Sequence, residues 1–136
     1  MQQLARLLSE YHEFIEASRA IEPTLLERTA LGAVLQSFYS GVENILQTIA
    51  KRIDQEVPTG ESWHQDLLQQ MGRRVESRNA VISQTTVERL RPYLGFRHVA
   101  RHTYTFVLEW PKMQNLVWEL MDVWTSVQAD VEAFLE

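Results

Sequence analysis

The stretch from Phe96 to Tyr104, FRHVARHTY, gathers two arginines, two histidines and a tyrosine. Histidine takes or gives a proton near neutral pH without a large pKa shift. Arginine presents a planar fork of donors that fits phosphate oxygens and stabilises charge building up on a pentacoordinate phosphorus. With a ribose 2′-hydroxyl as internal nucleophile, such a set suits phosphodiester cleavage without a metal or a covalent enzyme intermediate. On an ideal helix at about 100° per residue with Arg97 at zero, Arg101 falls near about 40°, His98 about 100°, His102 about 140° and Tyr104 about −20°. Phe96, Val99, Ala100, Thr103, Phe106 and Val107 fall on the other side, which is the expected core face. The bland alternative is a basic, solvated helix face.

His98 and His102 also stand at i and i+4, the spacing that puts two imidazoles on one face for a metal. A third ligand would have to come from elsewhere, Glu43 or His64. Arg97 and Arg101 beside the pair disfavour a cation, so no metal and no cofactor is expected. Glu43, between Val42 and Leu46, is either a solvent-facing glutamate or a buried-edge carboxylate that orients Arg97 or Arg101. His64, beside Trp63 at a helix start, reads as a capping or packing residue, and His12 as a surface one.

The elements that must hold these residues are helical. Leu4, Leu7, Leu8, Tyr11, Phe14 and Ile15 form one amphipathic stripe from Gln2 to about Ala20. Thr24-Leu25-Leu26-Glu27 has capping-box spacing after Pro23. Leu31, Leu35, Phe38, Val42, Ile45, Ile49 and Ile53 then run at steps of three and four towards Pro58-Thr59-Gly60. Ser62 caps a shorter helix through about Arg74, and 75–84 reads as a loop. Thr85-Thr86-Val87-Glu88 is a second capping box, opening a helix that ends or kinks near Pro92. Another helical stretch follows from Tyr93 to about Phe106. Pro111 suits the first turn of a last helix carrying Met113, Leu116, Val117, Leu120, Trp124, Val127, Val131 and Phe134. Trp110, Trp118 and Trp124 fit core packing better than base stacking. The expected fold is all-α, an antiparallel bundle of four to five helices in one domain over 1–136.

Length and composition agree: 136 residues, 45% hydrophobic and 23% charged, suit one soluble globular domain. The chain has no cysteine, which excludes disulfides, cysteine zinc sites, iron–sulfur clusters and thiol nucleophiles. No apolar run approaches a membrane span. Glu10 and Glu13 stand where an export signal would be apolar, so a cytoplasmic location is expected. The net charge of −5 hides an asymmetry. Residues 73–101 carry seven arginines against Glu76 and Glu88, while the rest of the chain is strongly acidic. Motifs for dinucleotides, P-loops, zincins and the hydrolase nucleophile elbow are absent.

Arg97, four residues, His102, one residue, Tyr104 resembles the R-x4-H-x-Y motif of the HepT toxins of the HEPN ribonuclease superfamily, and His98 fits the polar position after the arginine. Tyr39-Ser40-Gly41-Val42-Glu43-Asn44-Ile45-Leu46 and Ser62-Trp63-His64-Gln65-Asp66-Leu67-Leu68-Gln69-Gln70-Met71 look like the same group. The resemblance implies a HEPN-like all-α fold, a homodimer with both motifs facing one cleft, and metal-independent cleavage of RNA (tRNA or mRNA). It implies that Arg97 positions the phosphate, that His102 is acid or base, and that His98 is an accessory. It further implies a type VII-like toxin–antitoxin pair, in which a nucleotidyltransferase antitoxin of the MntA type modifies Tyr104 with AMP. Arg97 and His102 lie about 140° apart on one ideal helix and converge poorly. Two subunits sharing a cleft, or a helix that loosens after Ala100, would bring them to one phosphate. The alternative function is a non-catalytic helical partner of a nucleotidyltransferase. A purely structural adaptor would leave the Arg97–Tyr104 face tolerant of alanine.

Overall fold

The computed structural model describes residues 1–102 and 108–136, and only the backbone of His102. Among the described residues there are five α-helices: α1 (Gln2–Ala17), α2 (Leu25–Ile49), α3 (Trp63–Met71), α4 (Gln84–His102) and α5 (Trp110–Leu135). Among the described residues there is no strand, only an isolated bridge between Val75 and Arg78. No helix among them is long and apolar enough to cross a membrane.

α2 is the central element and packs against every other helix. It begins where expected. The Thr24 hydroxyl accepts from the Glu27 amide at 3.2 Å, and the Glu27 carboxylate accepts from the Thr24 amide at 2.9 Å. Leu31, Leu35, Phe38, Tyr39, Val42 and Leu46 are buried along it. α1 covers one side with Leu4, Leu8 and Ile15, each contributing roughly 1.5–3 kcal/mol of apolar burial. Tyr93 on α4 packs edge-on against Phe38, 5.3 Å between ring centres. Its hydroxyl donates to the Leu116 carbonyl on α5 at 2.6 Å, tying three helices together.

α2 does not run unchanged to Pro58. It widens into a π-helical turn over Ala50–Asp54 and ends at Gln55, whose φ of 57° is left-handed. Asp54 then meets Arg78 from the 75–84 segment. Nε donates to Oδ1 at 2.6 Å and Nη2 to Oδ2 at 2.8 Å. Arg78 also donates to the carbonyls of Arg73, Asn79 and Gln70. The Val81 and Ile82 amides both reach the Met71 carbonyl, closing the end of α3. So the aperiodic loop is pinned by one buried arginine, and Arg78, one of the seven arginines of the basic 73–101 stretch, is withdrawn from the surface.

α4 departs most from expectation. It is one helix through Pro92, not two. Pro92 and Glu88 are both exposed. The Glu88 carbonyl, which loses its partner to the proline ring, therefore lies on the wet side, where water can serve it. The start is set by Ser83, whose hydroxyl accepts from the Thr86 amide at 3.1 Å, rather than by Thr85. Thr86 is instead buried and donates its hydroxyl to Asp130 on α5 at 2.6 Å.

Candidate functional site

Continuity of α4 sets which way its residues face. Taking Val87 as zero, the buried Val87, Leu90, Tyr93 and Leu94 centre near about 300°, and Arg97, at about 280°, falls on the same stripe. Arg97 therefore points towards α2 as a polar member of an inward row, with its side chain only 15% exposed. Val99, at about 120°, lies opposite. It is 49% exposed, so it is not the core residue it was expected to be. Phe96 packs partly buried against the core, whereas His98 and Arg101 are exposed.

What Arg97 meets on α2 is polar. Its Nε donates to the Ser40 hydroxyl at 2.9 Å. Its Nη1 stands 3.9 Å from Glu43 Oε1, an ion contact too long for a hydrogen bond. Glu43 is buried, its side chain 6% exposed, and its second oxygen accepts from His64 Nδ1 at 2.7 Å. One carboxylate thus joins an arginine from α4 to a histidine from α3. The sequence offered either Arg97 or Arg101 as the partner of Glu43, and Arg97 takes that place, with His64 as the closer partner.

His64 does not cap α3. The N-cap is Ser62, without a side-chain bond. α3 starts after Gly60, whose φ of 100° suits only glycine, and the Trp63 amide reaches back to the Gly60 carbonyl. Trp63 lies over the His64 ring, 3.7 Å between centres at 31°. The imidazole is therefore fixed in its plane by Glu43 and across its face by Trp63. Tyr39, one turn before Glu43, is buried. Desolvation pushes its phenol well above the ordinary range, Glu43 adds to that rise, and Arg97 and Arg91 oppose it.

Beside this network lies a cleft of about 330 Å3 between the start of α3 and the middle of α4. Glu61, Ser62, His64 and Gln65 form one wall. Arg91, Leu94, Gly95 and His98, at i, i+3, i+4 and i+7, form the other. The structure thus brings Arg97, Glu43, His64 and His98 to one end of the bundle. The side chain of His102 and all of Tyr104 lie outside the described residues. Among the described residues no group of three or more histidines, cysteines or carboxylates gathers as metal ligands.

A family model described as HepT-like protein matches residues 30–136. The chain belongs to the HepT-like family of the HEPN superfamily. The match begins at residue 30, within α2, runs through α5, and leaves out α1. The five-helix, all-α architecture is that of a HEPN-like bundle. No curated protein and no solved structure matches the chain. Membership suggests a HEPN-type toxin of nuclease-like character in a toxin–antitoxin setting.

Ser40 and His64 stand inside the two phrases that resemble the family; the sequence pattern gives Ser40 no role and makes His64 a capping or packing residue or a third metal ligand, not the partner of Glu43. The available signal was a polar residue on an otherwise apolar α2 stripe, one turn from Glu43. No sequence spacing links either residue to Arg97, because the contacts join three separate helices.

Proposed function

We propose that this HepT-like chain, acting over 1–136 as one domain, is the toxin of a type VII-like toxin–antitoxin pair and a metal-independent endoribonuclease. The observation that carries the reading is a guanidinium held at a fixed place. Arg97 is anchored by Ser40 and Glu43 beside a cleft lined by His64 and His98, and it begins the Arg97-x4-His102-x-Tyr104 motif. In this reading Arg97 holds the scissile phosphate, with Arg101 in support. One base takes the proton of the 2′-hydroxyl, and that oxygen forms a bond to phosphorus. The bond from phosphorus to the 5′-oxygen breaks, and the departing oxygen gains a proton from an acid. His102 is the acid or base, His98 the accessory polar group, and Glu43 the residue that orients Arg97.

The acting unit is a homodimer whose two motifs face one cleft, and the substrate is a tRNA or mRNA in the cytoplasm. A nucleotidyltransferase antitoxin of the MntA type neutralises it by AMPylation of Tyr104. The test is cleavage of RNA in EDTA by purified protein. His102→Ala and Arg97→Ala should abolish it while circular dichroism stays helical, with Arg97→Lys as the shape-preserving control. Cleavage retained by His102→Ala overturns the assignment.

One observation favours the second reading, a non-catalytic partner of a nucleotidyltransferase. Arg97 is largely enclosed and already bonded within the chain. In that case expression without the partner leaves growth unaffected, and Arg97→Ala shows as lost stability rather than lost cleavage.

A further inference from the structure

We infer that the cleft between the start of α3 and the middle of α4 holds the nucleoside next to the phosphate gripped by Arg97, with His64 as its fixed polar contact. This rests on the nuclease reading above. Its volume, about 330 Å3, lies at the small end of the roughly 300–1,000 Å3 range of small-ligand sites. That is room for one nucleoside and too little for a duplex.

The lining matches a base and ribose better than a bare phosphate. Leu94 and the backbone of Gly95 give an apolar floor, and Arg91 and His98 offer planar cationic or aromatic faces of the kind on which bases stack. Glu61, Ser62 and Gln65 supply acceptors and donors for the polar edge of a base or a ribose hydroxyl. Among the described residues Arg91 is held by an exposed 3.3 Å contact with Glu88, which is easily exchanged for a ligand.

His64 is the built part of the site. Its Nδ1 is committed to the buried Glu43 and its ring face to Trp63, so Nε2 is the nitrogen available to a ligand. Burying a carboxylate is costly, and a buried carboxylate that fixes a part-exposed imidazole preorganises that imidazole for a partner. Glu43 accepts from His64 in the cleft wall and stands 3.9 Å from Arg97, so a single carboxylate links the cleft wall to the arginine. A Cβ at Gly95 would meet no atom within 4 Å. The cleft can therefore be filled from Gly95 without disturbing the core, and a helix-favouring residue there should hold α4 at least as well as glycine.

The experiment measures binding of a fluorescent single-stranded RNA whose riboses are 2′-O-methylated, so that it cannot be cut, with inorganic phosphate as competitor. Gly95→Leu and His64→Gln are compared with the native protein. Gly95→Leu should weaken RNA binding about tenfold, the loss of one base contact. His64→Gln should weaken it severalfold, and the His64 imidazole resonances should shift with RNA and not with phosphate.

Native binding by Gly95→Leu overturns the inference, and so does an equal response of His64 to phosphate alone. Absence of RNA binding by the native protein overturns it whatever the cleavage assay shows. If the cleft binds RNA and nothing is cut, the nuclease reading falls and the nucleoside site stands. If RNA is cut equally well by Gly95→Leu, the nucleoside site falls and the nuclease stands.

Discussion

Glu43 is the residue whose removal separates an organised site from a chance meeting of charges. Three terms set the expected effect. The contact with Arg97 at 3.9 Å has a gross Coulomb value of about 4 kcal/mol at an effective dielectric near 20. Desolvation of a carboxylate that is only 6% exposed offsets several kcal/mol, so this contact roughly breaks even. The bond to His64 at 2.7 Å is charge-assisted and worth about 1.5–3 kcal/mol when enclosed. With His64 28% exposed, solvent screening brings it to about 1–2 kcal/mol. Glu43→Gln keeps the shape and an acceptor oxygen, and should cost about 1 kcal/mol. Glu43→Ala also opens a small cavity and leaves Nδ1 without its acceptor, and should cost about 2–4 kcal/mol. For a chain of this size each kcal/mol lowers Tm by about 3–5 °C. The deciding measurement is a double-mutant cycle of Glu43→Ala with His64→Ala, read by urea unfolding with unchanged m-values. A coupling energy of about 1–2 kcal/mol is expected. Coupling indistinguishable from zero, or a Glu43→Gln protein more stable than the native one, would refute the view that this carboxylate fixes the imidazole.

The Asp54–Arg78 pair should behave as a structural bolt with no part in RNA binding. Arg78→Ala should cost about 3–5 kcal/mol by stranding a buried carboxylate, measured by thermal unfolding. The Arg78 hydrogen bonds hold Asp54 below its usual 3.8. Its contribution is therefore complete above that pH and drains away as pH falls through the lower folded value; acid unfolding that is equally steep in Asp54→Asn would contradict this. Val99, 49% exposed and two residues from Arg97, should lie in the boundary between two copies. In the proposed homodimer, Val99→Asp should leave the stability of the monomer fold within about 0.5 kcal/mol of native while converting dimer to monomer in light scattering and abolishing cleavage; a dimer that survives the change removes α4 from the interface.

The legible parts of the fold were those written in apolar spacing and caps. The Thr24–Glu27 box, the α2 stripe from Leu31 to Ile49 and Pro111 at the start of α5 all sit where the pattern put them, whereas Ile53, expected to extend the stripe, lies in the π-helical turn and is 47% exposed. α4 was misread for one physical reason. Treating Pro92 as a break reset the phase of the helix, so Phe96, Val99 and Ala100 set the expected core face. In the continuous helix Val87, Leu90, Tyr93 and Leu94 set it, and the same rotation carries Arg97 inward and Val99 outward. A periodicity count registers apolar residues and is blind to an arginine occupying an inward slot. Glu43 was recognisable as ambiguous because it stands between two core positions of α2. Its partner His64 was not recognisable, because the pairing depends on how α3 crosses α2 rather than on any local spacing.

The burial of these groups changes what the basic stretch can do. Of its seven arginines, Arg78 is spent on Asp54 and three backbone carbonyls. Arg89 donates to Ser126 on α5, and Arg97 is anchored on α2. Only Arg73, Arg74, Arg91 and Arg101 remain exposed, on a chain with a net charge of −5. A continuous electrostatic track for long RNA is therefore not built into this surface, since such tracks draw their affinity from many phosphates at once. Discrimination in the proposed nuclease must come instead from a few placed contacts, one guanidinium held on α2 and one imidazole held on α3, both positioned by the same buried carboxylate. That arrangement suits an exposed loop or end of RNA, where a single nucleoside can leave its neighbours and enter a small cleft.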